Sequence, residues 1–282
     1  MNDTVKKSKW MIQFEHYLKE DEKSEVTIEK YLRDVRSFLE FIGQKDITKQ
    51  QTIAYKKYLS ERYAVSSVNS MLVAMNAFLR FIQCSECCVK LLKIQRQIFS
   101  SEERELNKEE YRRLVKAAET AGNTRIGTII QTICGTGIRV SELQFITVEA
   151  VKKGRASVYC KNKTRMIFFP APLQKLLNSY IKKHGIQSGV VFLTRNGKPL
   201  NRSNIWREMK ALCRSADVEP SKVFPHNLRH LFARTFYSIE KDIVRLADLL
   251  GHASVNTTRI YTMETGYQQI SRLERVQTLL TT

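Results

Sequence analysis

Six side chains between residues 139 and 261 of this 282-residue sequence have the types and the order that chemistry at a phosphorus atom requires. Arg139 follows a glycine-bounded break in GTGIRVSEL, and Glu142, one turn on, can orient it. Lys161 occupies a basic turn between the β-prone runs ASVYC and RMIFFP. His226 and Arg229 stand three apart in PHNLRH, on one face of a helix that Pro225 is suited to start. His252 and Tyr261 close the series in GHASVNTTRIYT. Two guanidinium groups can grip the non-bridging oxygens of one phosphodiester and stabilise a five-coordinate transition state. A tyrosine hydroxyl can attack phosphorus in line and form a phosphotyrosyl intermediate. A lysine can protonate the leaving 5′ oxygen, while histidines move protons and hold the phosphate. Such chemistry needs no metal or cofactor, which fits a sequence without a carboxylate cluster.

Each residue alone has a plainer reading. An arginine at a break caps the preceding carbonyls, a turn lysine is solvated charge, and an H-x-x-R pair is a surface feature or a cap. Arg229, however, lies between apolar stretches, where a guanidinium needs an anionic partner. His230 adjoins the pair, and its position fits packing better than chemistry. Lys163, in the same basic stretch KNKT, is an alternative to Lys161.

His252 and Tyr261 pose a geometric condition. A helix turns about 100° per residue, so nine steps on one helix would point the two side chains to opposite faces. The chain must bend between them if both are to reach one phosphate. Gly251 supplies the stop, and a separate short helix after ASVNT would carry Tyr261.

The elements that must position these groups follow from periodicity. TIEKYLRDVRSFLEFI and SVNSMLVAMNAFLRFI repeat apolar residues at helical spacing, and Trp10, Phe14, Tyr17 and Leu18 mark a first helix. With a weaker helix around residues 55–59 they predict a bundle of about four helices closing near residue 85. We assign residues 1–89 to this domain, 90–105 to a linker and 106–282 to a second domain. In the second domain, RIGTIIQTICGTG reads as a helix stopped by glycines, and the two runs around KNKT read as a hairpin. VVFLT reads as a third strand, and helices follow to the end. The fold class is mainly α with a small antiparallel β-sheet: a helical bundle plus an α+β domain. A tail helix at about 267–280 carries Ile270, Leu273, Val276 or Gln277, and Leu280 along one stripe.

Charge points to the partner. Lys and Arg number 47 against 28 acids, a net of +19. Residues 1–105 carry a net of only +3, whereas residues 150–234 hold 18 basic and 3 acidic side chains. A surplus gathered in one region is what a surface for a polyanion would show. The start, MNDTVKKSKW, lacks an apolar export segment, and no apolar run approaches the roughly 20 residues that span a bilayer. The expected location is cytoplasmic, away from membranes, with the six cysteines reduced. Cys84, Cys87 and Cys88 lack a second ligand pair with zinc spacing.

The stretches GTGIRVSEL, KNKTR, VFLTRNGKPL, PHNLRHLFAR and LLGHASVNTTRIYT resemble the tyrosine recombinases, the phage-integrase family, over most of residues 106–265. Residues 5–85 resemble that family's helical, SAM-like core-binding domain. The resemblance implies that Tyr261 is the nucleophile, that Arg139 and Arg229 bind the phosphate, and that His226, His252 and Lys161 complete the site. It implies a 3′-phosphotyrosyl intermediate, no cofactor or metal, double-stranded DNA as partner and a homo-tetramer on DNA, with a monomer or dimer off it. It also implies a tail helix that packs on a neighbouring protomer, and accessory proteins are a further expected class of partner. Because the core-binding helices begin almost at once, a simple Xer-like or mobile-element recombinase without an arm-binding domain is expected. The competing readings are a type IB topoisomerase-like enzyme acting as a monomer, and a non-catalytic DNA-binding protein on the same fold.

Overall fold

The computed structural model describes residues 3–93, 105–160, 163–194, 196–252 and 254–261. They fall into two compact units, Met1–Arg96 and Gln97–Thr282.

The first unit is built on α1 (Asp3–Glu20), α2 (Glu25–Ile42), α3 (Lys49–Ser60) and α4 (Val65–Phe81). Helix α2 places Ile28, Val35, Phe38, Leu39 and Ile42 on one buried stripe. Helix α4 answers with Val68, Leu72, Met75, Phe78 and Leu79, and α1 adds Phe14 and Leu18. Phe14 meets Phe78 edge to face, with ring centroids 5.4 Å apart. Cys87, in a short turn after α4, is buried in the same core. Two asparagines of α4 then hold the departing chain. Asn76 bonds the Val89 carbonyl at 2.8 Å and its amide at 3.0 Å, and Asn69 treats Leu92 in the same way at 2.8 Å.

The second unit opens with α5 (Lys108–Thr120) and α6 (Thr124–Thr136). A short 3-10 helix, Val140–Phe145, and α7 (Val148–Lys152) lead to the antiparallel hairpin β1 (Arg155–Cys160) and β2 (Lys163–Phe168). Then come α8 (Ala171–Lys183), α9 (Arg202–Ala211), α10 (Cys213–Ala216), α11 (Pro225–Glu240), α12 (Ile243–Leu250) and α13 (Val255–Thr258). Helix α6 is the centre: Ile126, Ile129, Ile130 and Ile133 are all buried, and α5, α8 and α11 pack around it. In the hairpin the register runs from Arg155 paired with Phe168 to Cys160 paired with Lys163.

Two glycine stops shape the neighbourhood of the site. Gly137 ends α6 with φ +65°, and a Cβ there would lie 2.4 Å from the Phe232 ring. Gly251 ends α12 with φ +64°, and a Cβ there would lie 2.5 Å from Arg165 Cδ. Both the left-handed backbone and the close approach demand glycine.

The expected third strand does not form. VVFLT makes only the isolated bridges Thr147–Val190 and Leu193–Pro199. Val191 and Phe192 are adjacent and both buried, so this stretch runs through the core instead of presenting alternate faces to a sheet. Helix α8, by contrast, is an element that the pattern reading passed over. Among the described residues no helix is long and apolar enough to cross a membrane. The tail assigned to 267–280 lies outside the described residues.

Candidate active site

Helix α11 starts at Pro225, whose missing N–H costs nothing at a first turn. His226, Arg229 and His230 therefore stand at i, i+3 and i+4 on one face. Arg229 is the largest fully buried side chain of the described residues, at 1% exposure. Its guanidinium donates to the Gly137 carbonyl at 2.5 Å and to the Leu250 carbonyl at 2.6 Å. These carbonyls belong to the glycine-stopped ends of α6 and α12, where helix dipoles favour a cation. Burial, followed by the charge of Arg139, pushes the Arg229 pKa down to about 10, while the nearby Tyr261 phenol raises it. Arg229 thus stays charged at neutral pH.

Arg229 also faces His252 Nε2 at 3.0 Å. A guanidinium has only donors, so this nitrogen is the acceptor and the proton sits on Nδ1, which donates to Thr258 Oγ at 2.8 Å. Burial and the charges of Arg229, Arg139 and Arg165 push the His252 pKa down to about 4. His252 is a neutral ring that holds Arg229 from one side.

The bend required between His252 and Tyr261 is present. Chain direction changes at Gly251, Ser254 caps α13, and a final tight turn, Arg259–Tyr261, brings the phenol back. The Tyr261 ring lies 5.8 Å from that of His252 and 4.5 Å, edge to face, from that of His230. Ala233, Leu246 and Leu250 pack beside Tyr261, which is 3% exposed. His230 in turn touches His226 at 4.7 Å. Burial, then His226 and Arg229, push the His230 pKa down to about 4.

Arg139 occupies the opposite wall. The backbone leaves the Gly137 stop, and the Arg139 side chain, 39% exposed, is held at its base by Glu142. Glu142 Oε1 accepts from Arg139 Nη1 at 3.1 Å, and Oε2 accepts from the Arg139 amide at 2.7 Å. Arg139 Nη2 also reaches the Gly251 carbonyl at 3.4 Å. Between the walls lies a cleft of about 480 Å³ lined by Arg139, Arg229, His226 and Arg202, with Ser141 and Gln144. His226 is open to solvent on this side. Desolvation by the cleft wall, then the charges of Arg229, Arg139 and Arg202, hold its pKa below the ordinary value. The arrangement is a cationic cleft whose Arg229 is also flanked by the neutral His252 ring and the Tyr261 phenol, suited to one tetrahedral anion and its transition state.

Five of the six side chains singled out in the sequence are thus brought together: Arg139, His226, Arg229, His252 and Tyr261. Lys161 lies outside the described residues. Three contributors were missed. Thr258 fixes the His252 tautomer, Arg202 adds a cation to the cleft, and Arg165 bonds Glu142 at 2.5 Å. Arg165 carried a legible signal. It shares strand parity with buried Ile167, and a cation on the inner face of a strand needs an acid.

The sequence profile of the phage integrase family matches residues 104–266, and that of the phage integrase N-terminal SAM-like domain matches residues 11–83. Tyrosine recombinase XerA of Pyrococcus furiosus is 30% identical, over 99% of this chain and 98% of that protein. The crystal structure of XerH site-specific recombinase bound to difH substrate, a pre-cleavage complex, is similar over 90% of this chain and 79% of that one, with TM-score 0.69 and 19% identity. A lambda integrase tetramer bound to a Holliday junction is similar over 90% of this chain and 76% of that one, with TM-score 0.72 and 17% identity. At these identities the two structures speak to the fold.

Proposed function

This chain belongs to the phage integrase family, and from that premise we infer that it is a site-specific DNA recombinase working through a 3′-phosphotyrosyl intermediate on Tyr261. The observation that carries the reading is the convergence of Arg139 and Arg229 on one cleft, with Tyr261 folded back beside His252.

Arg139 and Arg229 take the two non-bridging oxygens of the scissile phosphodiester. Arg229 needs little reorganisation, because two helix ends already hold it. The Tyr261 oxygen attacks phosphorus as the bond to the 5′ oxygen breaks, and the phenol proton passes to His226 or to water in the cleft. His252 is not the acceptor, since its Nε2 lone pair faces Arg229. His226, neutral above its lowered pKa and open to the cleft, moves protons there. The leaving 5′ oxygen takes a proton from Lys161, with Lys163 as the alternative. A 5′ hydroxyl from the exchanging strand then attacks the phosphotyrosyl bond and releases Tyr261. Each step swaps one phosphoester for another, so no external energy source is needed.

The basic region between residues 150 and 234 supports duplex DNA as the partner. The tetrameric state of the lambda integrase complex supports assembly of this chain as a homo-tetramer on DNA. We place its work in the cytoplasm.

The test is covalent trapping. Purified protein and Tyr261→Phe are mixed with nicked duplexes drawn from the DNA flanking the protein's own gene, and denaturing gels detect a protein–DNA adduct. We expect an adduct for the unaltered chain and none for Tyr261→Phe. An adduct formed by the variant moves the nucleophile elsewhere. Specific binding without any adduct favours a non-catalytic binder.

A further inference from the structure

Arg165 of β2 joins three elements that the chemistry needs to keep in register. Its side chain is 13% exposed and points inward. One amino group donates to Glu142 Oε2 at 2.5 Å, and the other donates to the Leu249 carbonyl near the end of α12. Its methylene stem and Nε fill the space under Gly251, where a Cβ would come within 2.5 Å and 2.9 Å of them. Glu142 is the acid that holds Arg139, and Gly251 is the stop from which His252 departs.

We propose that Arg165 is a positioning residue for phosphate binding: it shares Glu142 with Arg139 and so sets both the aim and the free charge of Arg139. The proposal rests on the reading of Arg139 as a phosphate ligand. Glu142 is 1% exposed and carries one negative charge between two guanidinium groups, leaving a net positive charge at the cleft. Without Arg165, Glu142 would face Arg139 alone. The pair would then be neutral overall, and the carboxylate would compete with the substrate for the same donors. The Leu249 contact adds direction, because it fixes the Glu142 partner to the helix that presents His252. A plain helix cap would need only that carbonyl contact; the second bond, to the acid beneath Arg139, is what makes Arg165 part of the grip.

A substrate that lacks the charge separates positioning from general support. A methylphosphonate at the cleavage position replaces one non-bridging oxygen by a methyl group, so the scissile centre is neutral and the demand for cationic charge falls. Single-turnover cleavage would be measured for the unaltered chain, Arg139→Ala, Arg165→Gln and Arg165→Lys. The substrates are nicked duplexes carrying the site found by trapping, with either the phosphodiester or the methylphosphonate. We expect Arg165→Gln to cleave the phosphodiester about 100-fold more slowly, with DNA affinity kept within about threefold. On the methylphosphonate its rate should return to within about tenfold of the unaltered chain, as should that of Arg139→Ala. Equal slowing of Arg165→Gln on both substrates, with Arg139→Ala rescued, would overturn the positioning role alone. Failure to rescue Arg139→Ala would overturn the reading of Arg139 and the proposal with it. Arg165→Lys keeps the charge and guards against a Gln variant that does not fold. It should show a deficit of about tenfold on the phosphodiester that the methylphosphonate relieves, and unaltered rates on both substrates would also overturn the proposal.

Discussion

The Tyr261 phenol lies over the His252 imidazole, with planes 17° apart and centroids separated by 5.8 Å, although nine residues of chain run between them. Three local features produce this. Gly251 turns the backbone out of α12, Ser254 restarts it as α13, and buried Thr258 accepts the His252 Nδ1 proton. The hydrogen bond from ring to hydroxyl spans the bend, so the tautomer of His252 and the return path of Tyr261 are set by the same contact.

The two arginines should part company when stability and activity are measured together. Arg139→Ala removes a side chain that is 39% exposed, so unfolding in urea should shift by less than about 1 kcal/mol. Arg229→Ala leaves the Gly137 and Leu250 carbonyls unpaired and should cost about 3 kcal/mol of stability. Both should lose cleavage by about 3 kcal/mol of transition-state stabilisation. Near-normal cleavage by either variant would remove that residue from the site.

Acid should weaken the fold in a defined window. His230 and His252 have pKa values pushed down to about 4, against 6.5 for the ordinary side chain. Between these values the unfolded chain binds protons that the folded chain refuses, so stability is full above pH 6.5 and falls as pH drops towards 4. Urea midpoints taken across that range should decline on acidification, and the His230→Phe, His252→Gln double variant should flatten the slope. A rise in stability on acidification would contradict the neutral burial of both rings.

Gly251→Ala should lower the melting temperature more than Gly122→Ala. Both glycines have positive φ, +64° and +68°, and share the backbone penalty of about 1–3 kcal/mol. Only at Gly251 would the new Cβ meet a neighbour, 2.5 Å from Arg165 Cδ, whereas nothing lies within 4 Å at Gly122. The excess cost at Gly251, and a cleavage defect confined to that variant, are the expected results. Equal melting temperatures would show that Arg165 yields easily.

Lys161 and Lys163 can be told apart by the leaving group. A substrate with sulfur in place of the bridging 5′ oxygen departs without a proton, so it should rescue the alanine variant of the true acid and not the other. Cleavage rates on the oxygen and sulfur substrates would be compared for Lys161→Ala and Lys163→Ala. Rescue of neither would place the acid outside the hairpin.

Much of the site's geometry was legible because it depends on local punctuation. Gly137 and Gly251 announce where α6 and α12 stop, and Pro225 announces where α11 starts, so Arg139, Arg229 and His252 are placed by chain rules acting within a few residues. Contacts between distant elements were not legible in that way. Arg165 meets Glu142 across 23 residues and Leu249 across 84, and no spacing rule connects them. Helix α8 could have been read, since Leu173, Leu177 and Tyr180 follow helical spacing. VVFLT misled because β-branched and aromatic residues suit any buried extended chain, and only the missing alternation of exposure distinguishes it from a strand.

Arg229 is bonded as though it were part of the scaffold, joining the ends of two helices from a fully buried position. Selection on folding alone would therefore retain it. A descendant of this chain that had abandoned strand cutting would be free to discard the exposed Arg139, yet would lose stability on discarding Arg229. Across diverging lineages, it is the half-open arginine that records whether the reaction is still in use.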